Sequence, residues 1–350
     1  ELERALREKE QELERLKTLL GAYEKVTDLS RRELVDADQT IPSADVDWVD
    51  EIMQTAAVQS YNLSLSKGNS KGQHMFSLGY FKQEGLIKFT GFERYSARFN
   101  SSYNIGDFLT IGENFTANYK EQVSVQTNRA LGSVVLDAMQ FPSIVPVKDL
   151  NGEYSGNPIN DTGNPLGRLY RGKDNKQKRI QALGNVYANL YISDFTFKTS
   201  FGLDYQNYNI RSFSPTYDEI LATNLTNSLS TSNDFNYQFS FTNTLNYKKR
   251  FGDHNVDVLI GQEAIEFNEE RSNASVSSFL YEDENFRYLD YGSENQLNGG
   301  YAWGWSLNSY FGRVNYNFDE KYLFSATVRR DGSSRFDDDN KWGTFPAFSL

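Results

Sequence analysis

The sequence predicts an all-β fold, an antiparallel transmembrane β-barrel segment with a short N-terminal helix. Three observations predict it. Apolar and aromatic residues recur at every second position over stretches of about ten to fifteen residues. Short Gly-, Asn- or Asp-rich connections alternate with long ones. No stretch approaches the roughly 18 consecutive apolar residues of a membrane-crossing helix.

The composition is odd for a soluble enzyme. The 350 residues carry 36 Lys and Arg against 47 Asp and Glu, a net charge of −11. Such a balance excludes nucleic acid as a partner, since phosphate neutralisation needs a basic face. Hydrophobic residues make up 38%, and 25 Phe, 22 Tyr and 4 Trp supply much of that bulk. With 7 Pro the chain is no Pro-rich disordered segment. The lack of Cys excludes a disulfide scaffold, a thiolate metal site and a Cys nucleophile, but says nothing of the compartment. The chain begins without Met, and its apolar end, Thr344 to Leu350, has no terminating signal, so it reads as a stretch of a longer protein.

The opening segment has helical spacing. Leu2, Leu6, Leu13, Leu16 and Leu20 follow a 3-4 repeat whose remaining position is Lys9, with Glu, Lys and Arg between. This predicts a helix of about five turns, packed on its own protein. A fused foreign segment is the alternative.

Period two takes over from Tyr61. Phe195, Phe197, Phe201, Leu203 and Tyr205 alternate with Thr196, Lys198, Ser200, Gly202 and Asp204. Phe235, Tyr237, Phe239, Phe241, Leu245 and Tyr247 alternate with Asn236, Gln238, Ser240, Thr242, Asn246 and Lys248. Each set describes a strand with one apolar and one polar face. The pattern recurs at 61–67, 74–82, 94–105, 108–120, 180–193, 256–267, 305–318, 322–331 and 342–350, about eleven strands in all. Many exceed the five or six residues usual in soluble proteins and match the roughly 9–11 of a tilted membrane strand.

Tight links at 68–72, 106, 194, 252–253 and 319–320 alternate with long loops at about 83–93, 121–179, 209–234 and 268–304. Compact soluble domains rarely hold several such loops, whereas outer-membrane barrels have short periplasmic turns and long extracellular loops. In hydrocarbon every backbone group must be paired, so the aromatic face is expected outward and the polar face in a wet interior. Tyr61, Tyr103, Tyr119, Tyr191, Tyr247 and Tyr322 near strand ends suit interfacial girdles.

Chemistry is sparse. His74 and His254 stand far apart, too few for a zinc site without carboxylates. No phosphate-loop or dinucleotide pattern occurs, Gly68-Asn69-Ser70-Lys71-Gly72 reads as a tight hairpin link, and acid pairs such as Asp283 and Glu284 read as solvated loop residues. Asp337, Asp338 and Asp339 offer hard oxygens to Ca²⁺, although an exposed turn is the plainer reading. Neither catalysis nor a cofactor is expected.

Several blocks of residues form a recognisable set. They are Asp47-Trp48-Val49-Asp50-Glu51-Ile52 with Tyr61-Asn62-Leu63-Ser64-Leu65-Ser66, and Ser77-Leu78-Gly79-Tyr80-Phe81-Lys82-Gln83-Glu84-Gly85-Leu86-Ile87 running into Arg94-Tyr95-Ser96-Ala97-Arg98. Later come Phe311-Gly312-Arg313-Val314-Asn315-Tyr316, Lys321-Tyr322-Leu323-Phe324, Arg329-Arg330-Asp331-Gly332-Ser333-Ser334-Arg335-Phe336 and Trp342-Gly343-Thr344-Phe345-Pro346-Ala347. In this order, over roughly 45–105 and 305–350, they resemble the SusC/RagA family of TonB-dependent outer-membrane transporters. The middle matches mainly by hairpin layout.

The resemblance implies a 22-stranded barrel around an N-terminal plug, a SusD-type surface lipoprotein as partner, and import of glycan or peptide driven by the TonB complex. It divides the chain into 1–59, a helical segment of an extracellular loop, and 60–350, about half of the barrel wall. Plug and TonB-contact regions are expected outside this sequence. Eleven strands leave open edges, so the segment alone should not transport. Ligand contact is expected from Asn298, Tyr301, Trp303 and Trp305, and from Asn157, Asn160 and Asp161 in the longest loop. The plainer reading of each is rim anchoring or loop packing. A soluble β-rich carbohydrate-binding or adhesive protein and a passive porin are the alternatives.

Overall fold

The computed structural model describes Lys17, residues 44–125 and residues 133–350. The expected N-terminal helix, apart from Lys17, lies outside the described residues. A single antiparallel sheet of eleven strands dominates, with neighbours following chain order. Its strands are β1 (Val58–Asn69), β2 (Gly72–Glu84), β3 (Gly91–Ile105), β4 (Leu109–Val123), β5 (Gln177–Ile192) and β6 (Phe195–Ser214), then β9 (Ser228–Phe251), β10 (His254–Phe279), β11 (Gly292–Phe318), β12 (Tyr322–Ser333) and β13 (Trp342–Ser349). A two-stranded ribbon, β7 (Tyr217–Glu219) and β8 (Ala222–Asn224), sits in the connection between β6 and β9. All eleven expected strands are present.

The register keeps the two faces apart. Leu65, Phe76, Phe99 and Phe115 follow one another in one hydrogen-bonded row across β1 to β4. The same row continues through Gly184, Leu203 and Phe239 to Glu266. Rows thus climb out of the apolar band as they cross the sheet, as tilted strands require. A second row sets Tyr61, Tyr80, Tyr95 and Tyr119 side by side, with ring centroids 6.2, 5.1 and 6.4 Å apart. Tyr95 and Tyr119 donate their hydroxyls to Glu93 and Glu121, one step nearer the long connections. That is how an interfacial Tyr sits, ring in the apolar layer and hydroxyl in the polar one. Tyr191 departs from the expected girdle: it pairs with Thr196 and shares the polar face.

Tight turns close one end of the sheet, among them Gly106 and Gly252 with φ of 58° and 59°. The longer connections meet at the other end, but two are shorter than the sequence predicts. Strands β9, β10 and β11 run 24, 26 and 27 residues. Most of 268–304 and the flanks of 209–234 are therefore ladder, not loop. Their outward positions above the band, such as Asn268, Glu270, Gly300 and Ala302, are polar or small, so lipid imposes no alternation there while the partner strand still pairs the backbone.

A small core lies at the long-connection end. Helix α1 (Trp48–Ile52) precedes β1, while α2 (Val134–Gln140) and α3 (Pro165–Gly172) belong to the connection between β4 and β5. Trp48, Ile52, Val134, Ala138, Phe141, Val145 and Leu169 pack together, fully or almost fully buried. Asp47 caps α1, accepting from the N–H groups of Val49 and Asp50 at 3.0 Å. Among the described residues no helix is long and apolar enough to cross a membrane.

Candidate functional site

The polar face carries an aromatic and cationic patch on the upper parts of β10 and β11. Period two puts Tyr301, Trp303 and Trp305 on one side of β11, opposite Arg271, Glu269 and Phe267 of β10. The Phe267 ring lies 5.4 Å from Trp303 and 5.8 Å from Trp305, stacked on the latter. Tyr301 donates its hydroxyl to Glu269 at 3.1 Å and lies 5.5 Å beneath the Arg271 guanidinium. Arg271 in turn grips Asp234 through Nε and Nη2, both at 2.5 Å. From the connection between β12 and β13, Arg335 reaches over both indoles, its Cζ 5.5 Å from Trp303 and 4.9 Å from Trp305.

The ladder thus unites three of the four expected residues of this group. Asn298 pairs with Ala274 and stands on the opposite face, because its spacing from Tyr301 is odd. Tyr301 and Trp303 remain 47% and 44% exposed, with rings available to a ligand. Sequence reading missed Phe267, Arg271 and Arg335. Phe267 and Arg271 pair with Gln238 and Asp234 and so share the polar face, which only the register of β9 with β10 reveals.

The long connection forms a second locality. Asn157 is fully buried; its amide donates to Asn160 Oδ1 at 2.7 Å, and its carbonyl oxygen accepts from Ile159 N–H at 2.9 Å. Both Asn residues thereby hold their own loop. Asp161 is exposed and lines a cleft of about 520 Å³ with Ser124, Arg168, Arg171, Gln177 and Tyr217. Behind the cleft Asn164 caps α3, accepting from Gly167 N–H at 3.0 Å, and its own N–H donates to Glu219 at 2.6 Å. Arg171 pairs with Glu219 at 2.6 Å and stacks on Tyr217 at 3.8 Å. Burial pushes the Glu219 carboxyl above its ordinary range, although Arg171 and the Asn164 N–H pull the other way.

The acidic turn shows no metal-binding geometry. Asp338–Asn340 form a 3-10 turn, whose threefold pitch splays Asp337, Asp338 and Asp339 apart, and Asp338 pairs with Lys341 at 3.1 Å. Among the described residues no three His, Cys, Asp or Glu gather as a metal site. His254 instead shares a 2.7 Å hydrogen bond with the Tyr316 hydroxyl.

No family model matches the chain. Known proteins do. TonB-dependent receptor P3 of Formosa agariphila is 30% identical over 325 residues, 88% of this chain and 31% of the relative. TonB-dependent receptor SusC of Bacteroides thetaiotaomicron is 27% identical over 331 residues, 88% of this chain and 32% of the relative. Among solved structures, the RagAB peptide importer in its closed-closed state superposes with a TM-score of 0.76 at 25% identity, covering 88% of this chain and 35% of that one. The chain therefore spans about a third of the length of the curated relatives it matches.

Proposed function

We propose, on the premise that this chain belongs to the SusC/RagA family of TonB-dependent receptors, that it is part of the wall of an outer-membrane nutrient importer. One observation carries the reading. Phe99, Phe115, Phe201 and Phe241 stay 41 to 45% exposed on a continuous aromatic face. Water does not tolerate such a skin over a whole sheet, and lipid does. A soluble β-rich binding protein would have to bury it. In this reading the long connections are extracellular, residues 1–59 belong to that side, and residues 60–350 are barrel wall.

The contact between α1 and the loop helices α2 and α3 supports that division, since it keeps the chain before β1 at the long-connection end. The receptor would take an oligosaccharide or peptide from outside, with a SusD-type lipoprotein over the mouth and TonB as energy source. The segment makes and breaks no covalent bond. Tyr301, Trp303 and Trp305 would hold the ligand by ring stacking, with Asp161 at the cleft across the mouth and Asn157 and Asn160 supporting its loop. Asn298, facing away, would contribute only from the rim.

Envelope fractionation of cells making the full-length receptor tests the reading. The receptor should stay with outer-membrane lipid and leave it only in detergent, and Trp303→Ala should impair ligand uptake while leaving its amount in the membrane unchanged. Recovery of the intact receptor in the soluble fraction would overturn it.

A further inference from the structure

Three cations stand shoulder to shoulder on the polar face, away from the aromatic patch. Arg94 of β3 pairs across the ladder with Lys120 of β4, and Lys120 with Arg179 of β5. Directly paired residues hold their Cβ atoms about 4.5–5.5 Å apart, and like charges so placed repel. Arg98 lies on the same face of β3, four residues along.

Among the described residues no carboxylate answers this row. Arg94 stacks on Phe81 at 5.6 Å, Lys120 donates to Gln181 at 3.5 Å, and Arg179 donates through Nη2 to Gln206. The Arg179 Nε–H is buried with no acceptor. The neighbouring acids Glu93 and Glu121 alternate to the other face, where they serve Tyr95, Tyr119 and Lys176. Asp204, on the polar face, is held by the Gln206 amide at 3.2 and 3.3 Å.

A fold that withdraws a guanidinium N–H from water and crowds three cations forgoes stability unless something anionic completes the set. The position suits a ligand. One polar-face step toward the long connections, Gln177 enters the wall of the 520 Å³ cleft that Asp161 and Arg168 also line.

We infer that Arg94, Lys120 and Arg179 form a binding site for anionic groups of the imported ligand, carboxylates or sulfates, so that the receptor selects an acidic ligand over a neutral one. The guanidinium forks present paired N–H donors to a planar carboxylate, and Lys120 adds a point charge between them. The inference rests on the importer reading and narrows it.

Calorimetry on the purified full-length receptor tests it with matched probes: hexagalacturonate against maltohexaose, and hexaglutamate against hexaglutamine. At least one anion should bind about tenfold or more tighter than its uncharged counterpart, as a single charge-assisted hydrogen bond would give. The difference should shrink as salt rises and vanish in the Arg94→Gln, Lys120→Gln, Arg179→Gln triple variant. These changes relieve repulsion and should leave assembly intact, and the salt series on the unaltered receptor needs no variant at all. Equal or weaker binding of both anions, or a preference that the triple variant retains, overturns the site. A receptor seated in the membrane but indifferent to ligand charge would sink this inference alone. One absent from the membrane would sink the importer reading.

Discussion

The indole N–H of Trp48 donates to the carbonyl of Pro142 at 3.0 Å, a hydrogen bond spanning 94 residues of sequence. Beside it the Trp48 ring meets Phe141 with centroids 4.5 Å apart. The chain before the first strand is thereby built into the loop between the fourth and fifth strands. Trp48→Ala removes both the bond and the largest side chain of this cluster, so it should destabilise the loop core by about 3–5 kcal/mol. Hydrogen exchange should speed up through 134–140 and 165–172 while the strands stay protected. Unchanged protection there would show that the cluster does not hold the loop.

The two faces of the sheet should tolerate change unequally. Phe197 pairs with Leu245 and Phe239 with Leu203, all on the aromatic face, while Thr196 and Gln238 take the other side. Phe197→Arg or Phe239→Arg should therefore cost about 2–4 kcal/mol of assembly for a site near mid-bilayer. Thr196→Ala and Gln238→Ala should be mild. Denaturant midpoints of the receptor folded into lipid measure the difference, and equal tolerance would reverse the assignment of faces.

What the sequence made legible follows from which solvent each residue meets. Phe195 to Tyr205 and Phe235 to Tyr247 alternate because lipid touches one face and water the other, and both stretches were readable as strands. Beyond Glu266 and before Trp305 the outward positions Asn268, Glu270, Gly300 and Ala302 are polar or small as well. Alternation fades, although backbone pairing continues from Phe267 opposite Trp305 to Ala274 opposite Asn298. The patch of Tyr301, Trp303 and Trp305 was visible as composition, but its neighbours Arg271 and Arg335 needed the ladder and a loop from another hairpin. The row of Arg94, Lys120 and Arg179 was invisible for the same reason: even positions on two strands meet an odd position on a third, and only register aligns them. No local pattern announces a contact such as Trp48 with Pro142.

The polar face also holds a compensated cation, which gives a contrast to the uncompensated row. Arg329 donates to Asp331 at 2.7 Å, to Glu263 at 3.1 Å and to the buried Ser309 hydroxyl at 2.9 Å. Arg329→Gln leaves two carboxylates and a hydroxyl without their donor, so it should weaken the β10–β12 wall by about 1–3 kcal/mol. Arg179→Gln should cost little or nothing. Paired denaturation curves compare the two; a larger loss for Arg179→Gln would mean that its charge is already satisfied within the protein.

The buried pair of Arg171 and Glu219 makes the loop sensitive to pH in a direction that can be worked out. The two side chains are 15% and 2% exposed. Burial raises the Glu219 carboxyl, so the folded loop binds its proton more tightly than the unfolded one. Its contribution to stability is therefore full below the ordinary carboxyl value, about 4.3, and is lost as pH rises through the raised folded value. At neutral pH the Arg171 guanidinium, helped by the Asn164 N–H, offsets the buried anion. Arg171→Met should then cost about 3–5 kcal/mol at pH 7, the penalty for a buried charge stripped of its partner. Acidification should restore most of that loss, because a protonated Glu219 needs no counter-ion. Hydrogen exchange at 165–172 and 217–224, followed from pH 7 to pH 5, should show Arg171→Met regaining protection as pH falls. A variant equally loosened at both pH values would mean that Arg171 acts by packing on Tyr217 and not by charge.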